Sequence, residues 1–214
     1  YLLIPMDDDS QKDHLKAYGI AFWTLENDLT VDWLLNYRGG SFLIENQTAI
    51  EKECIVRGVS YEIITNAYKQ QLQIELAHPE SNTDIIKLEK APKIAVYSPD
   101  ENLPWDDAVT MVLTYSEIPY DIIYDQEILS DLLPMYDWIH LHHEDFTGQY
   151  GKFYASFKNA PWYIEQKRKF EADANQLGFS KVSTQKLEVA LKIKEFLAGG
   201  GFLFAMCSAT DSYD

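Results

Sequence analysis

Cys207 stands where a short apolar run, Phe202-Leu203-Phe204-Ala205-Met206, breaks off, and Gly199-Gly200-Gly201 leads into that run. Ala205 lies two residues before the cysteine and Ala209 two after it. A nucleophile elbow needs small residues at those two positions. Its sharp strand-to-helix turn lifts one side chain above the end of a parallel sheet and brings the flanking backbone too close for bulk. A thiolate presented there attacks a carbonyl carbon, with the backbone N–H of Ser208 placed to hold the developing oxyanion. The competing reading is a core strand that ends on a buried cysteine, a common setting for a free thiol.

The other chemical concentration is His140-Leu141-His142-His143-Glu144-Asp145. His140 and His142 alternate with an apolar residue and so share one face of a strand. Two imidazoles and a carboxylate suit zinc or iron. The plainer reading is a core histidine at 140 and a hydrogen-bonded loop beyond it, and it is preferred because no second ligand cluster occurs in the chain. No metal and no cofactor are therefore expected. In the non-metal version, His142, His143 or Glu144 borders Cys207 and shapes its pocket.

Positioning these groups takes alternating strands and helices. In the second half, strands are expected over 93–99, 120–124, 137–143 and 202–206. Helices are expected over 106–117, 127–136 and 161–177, with another started by Ser183 and ended by the glycine run. The apolar stripe of that last helix reads Leu187, Ala190, Leu191 and Phe196. Such alternation predicts an α/β fold, a parallel sheet with helices on both faces, and sites form beyond the carboxyl ends of its strands. The loop after the first of these strands, Pro99 to Asp107, carries four acids and no glycine, which argues against a phosphate cradle.

The first half reads as a smaller α/β region. It has strands near 1–6, 31–37 and 41–44 and helices near 10–29 and 47–57. Residues 61–77 have moderate helical character, and polar residues 78–84 suggest a break. The division drawn is 1–90 and 91–214. Asp7-Asp8-Asp9 reads as a helix-starting acidic cluster rather than a calcium loop, whose spaced ligands and closing Glu are absent. Leu15, Tyr18, Phe22, Leu25 and Leu29 form the expected stripe of the first helix.

The 214 residues carry 34 acidic and 18 basic side chains, a formal charge of -16, which repels phosphate backbones and anionic membranes and so disfavours nucleic acid as a partner. No apolar run is long enough to span a bilayer. The chain starts with Tyr1 rather than Met, which a removed export signal or a trimmed end would explain. Cys54 and Cys207 make no disulfide framework.

Residues 93–214 resemble the class I glutamine amidotransferase fold, through the strand–helix alternation, Asp137-Trp138-Ile139-His140-Leu141-His142 and the glycine-led Cys207 elbow. The whole chain more closely resembles an exported bacterial family labelled asparagine synthetase B. That likeness rests on Tyr1-Leu2-Leu3-Ile4-Pro5-Met6-Asp7, Asn36-Tyr37-Arg38-Gly39-Gly40-Ser41-Phe42 and the stretch from His142 to Phe153. The resemblance implies a signal peptide, continuation past Asp214, and a periplasmic or cell-surface location. Asparagine synthetase activity itself is not expected, since position 1 is Tyr where that enzyme uses an amino-terminal cysteine, and no phosphate loop is present. The amidotransferase triad adds a His and a Glu downstream, and neither maps onto the seven residues after Cys207.

Two functions follow. The leading one is a binding or interaction module on an amidotransferase-like fold, taking an envelope protein, a glycan or a small amide ligand. It draws on the aromatic cluster Tyr150, Phe153, Tyr154, Phe157, Trp162 and Tyr163. The alternative is a cysteine-dependent amide hydrolase or amidotransferase using Cys207.

Overall fold

Leu2, Leu3 and Ile4 are consecutive and all fully buried, so their strand must be covered on both faces. The computed structural model shows how this happens. It describes residues 1–78, 80–99, 108–141 and 150–210, in two compact units. The first unit contains, in order, β1 (Leu2–Ile4), α1 (His14–Glu26), β2 (Val31–Leu35), β3 (Ser41–Ile44), α2 (Thr48–Arg57), β4 (Glu62–Ile63), α3 (Asn66–Leu76) and β5 (Asp84–Leu88). Its strands form an antiparallel sheet of order β4-β1-β3-β2-β5. With a side-chain period of two, Leu2 and Ile4 join Phe42 and Ile44 under α1 and α2, while Leu3 joins Leu43, Leu72 and Leu76 under α3. Fully burying each such side chain contributes about 1.5–3 kcal/mol.

The turn between β2 and β3 is shaped by Arg38, Gly39 and Gly40, all at positive φ. A Cβ at Gly39 would lie 2.2 Å from the Met6 carbonyl oxygen, so glycine answers both a backbone and a packing demand there. Arg38 Nε donates to Asp7 Oδ2 at 2.8 Å, and its Nη1 lies 2.9 Å from Glu62 Oε1. Asp7 therefore braces a turn instead of starting a helix. The N-cap of α1 is Asp13, whose carboxylate accepts from Lys16 N. The buried set of α1 also differs from the expected stripe, because Ala17, Ile20, Ala21 and Thr24 are inside while Leu15 and Tyr18 are exposed. Strand β5 pairs with β2 along its whole length, so the polar stretch near 80 precedes a strand of the same unit.

The second unit contains β6 (Ile94–Tyr97), only the start of α4 (Ala108–Tyr115), β7 (Asp121–Ile123), α5 (Asp125–Leu129), β8 (Trp138–Leu141), α6 (Tyr154–Phe157), α7 (Pro161–Gln176), α8 (Val182–Ala198) and β9 (Phe202–Ala205). All pairings are parallel, in the order β7-β6-β8-β9. One face, carrying Ala95, Tyr97, Ile139 and Leu141, packs against Ile128 of α5 and Val189, Ile193 and Phe196 of α8. On the other face Ile94, Val96 and His140 are buried, while Phe202 and Phe204 of the edge strand are exposed.

Residues Met111–Ile118 belong to the first unit. There Gly19 lets the Ser116 carbonyl approach so closely that a Cβ would sit 1.9 Å from it. Lys16 Nζ donates to Glu117 at 2.6 Å, and Tyr115 donates to Asp13. Among the described residues no helix is long and apolar enough to cross a membrane.

Candidate functional site at the carboxyl rim of the parallel sheet

β8 and β9 run in register, with Ile139 opposite Leu203 and Leu141 opposite Ala205. Both strands therefore stop at one rim. Met206 follows, and Cys207 then turns the chain at φ +55° into a 3-10 turn over Cys207–Ala209. That left-handed conformation is costly for a non-glycine residue, about 1–3 kcal/mol, and such residues concentrate at functional sites. The Ala209 N–H closes the turn onto the Met206 carbonyl at 3.1 Å, and the Thr210 hydroxyl donates to the Cys207 carbonyl at 2.7 Å. Ala209 is fully buried in the cluster that holds Leu141, so the small residue two after the cysteine has a packing reason. Cys207 itself is exposed, unlike the buried cysteine of the competing reading. Its thiol makes no hydrogen bond among the described residues.

The lead-in also needs its glycine. A Cβ at Gly201 would lie 2.2 Å from the Phe196 ring, which closes over the turn into β9. The backbone of Ser208 belongs to the 3-10 turn. His142, His143 and Glu144 lie outside the described residues. His140 is a core histidine with no exposure, its Nδ1 3.1 Å from the Phe204 carbonyl and its ring 5.5 Å from the Phe204 ring. No group of three potential metal ligands forms among the described residues.

The crossovers leave β6 toward β7 on one side and β8 toward β9 on the other. The strand order thus reverses between β6 and β8, where open parallel sheets bind ligands. On the β6–β7 side of the same rim lies a buried polar network that the helical stripe concealed. Lys186 Nζ donates to Asp125 Oδ2 at 2.6 Å, to the Tyr97 hydroxyl at 2.9 Å and to the Tyr124 hydroxyl at 3.0 Å. Tyr97 donates to Asp125 Oδ1 at 2.5 Å, and Gln185 Nε2 donates to Asp125 Oδ2 at 2.7 Å. Burial, reinforced by the adjacent Asp125 charge, pushes the Tyr97 phenol well above its ordinary value and keeps it a donor. Gln185 Oε1 has no partner among the described residues.

The observed buried face of α8 is Val182, Gln185, Lys186, Val189, Ile193 and Phe196, while Leu187 and Leu191 are exposed. The N-cap position is Lys181 rather than Ser183. A signal was present, since Gln185 and Lys186 fall on the same helical spacing as Val182, Val189 and Ile193. A cavity of about 350 Å³ lies at the opposite, amino end of the strands, lined by Asp137, Gly199–Gly201 and Phe202. A smaller one of about 140 Å³ adjoins Tyr124 and Asp125 at the carboxyl rim. The backbone constraint and the exposed thiol mark the rim, so volume alone does not locate the chemistry. Comparison with protein-family models, curated proteins and solved structures gives no match to this chain.

Proposed function

We propose that the second unit is an amidotransferase-like domain of an exported protein. In this reading it engages an amide-bearing ligand at the carboxyl rim of its sheet, with Cys207 as the reacting group. The observation that carries the proposal is the conjunction at Cys207: positive φ, exposed thiol and a turn beginning one residue past a parallel strand. A core cysteine needs none of these, whereas an elbow nucleophile needs all of them.

The chemistry is acyl transfer. The thiolate attacks the amide carbon, the backbone N–H of Ser208 steadies the oxyanion, and the amine departs with a proton as the C–N bond breaks. Water then cleaves the thioester. His142, His143 and Glu144, which follow Leu141 directly, are the nearest proton-transfer groups in sequence to that rim. The Lys186 network acts at a distance. β7 and β9 are opposite edges of the sheet, three strand spacings or roughly 14 Å apart. Its role is to fix the β6–β7 side of the crevice.

A second reading is recognition of the same ligand at the same rim without turnover. A chloroketone analogue of glutamine separates the outcomes. Stoichiometric addition at Cys207, suppressed by a competing amide, supports both readings of the site. Ammonia release from that amide, lost in Cys207→Ala, supports the enzyme. No addition at Cys207 overturns the proposal.

A further inference from the structure

Net charge is unevenly spread along the chain. Residues 150–169 carry five basic side chains (Lys152, Lys158, Lys167, Arg168, Lys169) against one acidic, Glu165, while the remainder carries 13 basic and 33 acidic. Within this basic stretch, large apolar side chains face outward: Tyr154 is 54% exposed, Phe157 44%, Trp162 48% and Ile164 45%. They are ordered rather than scattered. Phe157 and Trp162 rings lie 5.4 Å apart, Phe153 stands 6.0 Å from Trp162, and buried Tyr163 anchors the group at 5.6 Å from Trp162. Lys158 Nζ sits 5.9 Å from the Tyr154 ring and Lys152 Nζ 6.0 Å from that of Phe153. The knuckle formed by α6 and the first turn of α7 is thus aromatic at its crown and cationic at its flanks.

We infer that this knuckle docks on an anionic lipid surface, its rings entering the headgroup region while Lys152 and Lys158 meet lipid phosphates. Three considerations select this occupant. Trp, Tyr and Lys together are the composition of a membrane interface, where each ring keeps one end apolar and the other wet. The surface is one short helix and a turn, small against the roughly 800 Å² that a stable protein interface takes from each side. A bilayer sets no such minimum. Of the acidic remainder, Glu171 reaches the stretch, accepting from Tyr150 at 3.2 Å and lying 3.5 Å from Lys167 Nζ, and acids farther than a Debye length of about 8 Å are largely screened at physiological salt. This inference does not depend on Cys207 and stands or falls separately from the proposed chemistry.

Sedimentation of the whole chain with vesicles tests it. Binding to phosphatidylcholine vesicles containing phosphatidylglycerol, with none to pure phosphatidylcholine, is expected, and binding should fall as salt rises. Replacing both flanking cations (Lys152→Gln with Lys158→Gln) should reduce partitioning roughly thirtyfold. Trp162→Ala should reduce it without altering the salt dependence. The salt titration uses the native chain and so stays decisive if a ring variant misfolds. Native protein that remains in the supernatant with both vesicle types, binds both equally, or binds as well without the two lysines overturns the inference.

Discussion

Lys186 Nζ and Asp125 Oδ2 are 2.6 Å apart, and neither side chain is more than 5% exposed. Taking both charges out of water is expensive, and the pair persists because Tyr97, Tyr124 and Gln185 supply the remaining hydrogen bonds. Removing one partner strands the other charge, so Lys186→Met should cost about 3–5 kcal/mol. The double variant Lys186→Met/Asp125→Asn leaves no buried charge and should cost less than Lys186→Met alone. Urea unfolding of the two variants beside the parent checks the order; equal or additive losses would contradict it.

Gly19 makes a second test, because two effects compete there. Alanine is favoured over glycine inside a helix by about 1 kcal/mol. The new Cβ, however, would meet the Ser116 carbonyl oxygen at 1.9 Å, and backbone cannot swing aside as a side chain can. Overpacking of this kind costs about 1–3 kcal/mol, so Gly19→Ala should lower the melting temperature of the first unit and loosen α4. Faster amide exchange in residues 111–118 is the local signature.

Acid should loosen the same contact. The Lys16 hydrogen bond, with the Arg57 charge beside it, holds Glu117 below its ordinary value of 4.5. A carboxyl lowered in the folded state adds stability that is complete above the unfolded value and is lost as pH falls through the folded one. Thermal unfolding followed by circular dichroism should therefore show stability declining below about pH 4.5, with a shallower decline in Glu117→Gln. An unchanged slope in that variant would remove Glu117 from the explanation.

β1, β3, β6 and β8 were legible because strands buried on both faces read as continuous apolar runs, and the turn at Cys207 was legible because the small residues around it are local in sequence. The faces of the helices were not. In α8 the rule that lysine faces water assigned Leu187 and Leu191 to the core, whereas Lys186 and Gln185 occupy it and satisfy Asp125. In α1 burial extends past a single stripe, because Ser116 and Glu117 pack where the pattern expected solvent. Nothing local in 106–117 announces that Met111–Ile118 belongs with a sheet nearly a hundred residues upstream. Strand β5 was missed for a related reason: Asp84–Leu88 has only partly buried side chains and depends on pairing with β2.

Alkylation tests the central claim, a thiol delivered to the rim of the parallel sheet, most directly, because the second cysteine is an internal control. Cys54 is fully buried, and burial pushes its thiol up to about 12. Iodoacetamide at neutral pH should add a single group to the folded chain, mapped to Cys207 by peptide mass, with Cys54 modified only after denaturation. A folded chain whose Cys207 stays unmodified, or whose Cys54 reacts first, would contradict the account.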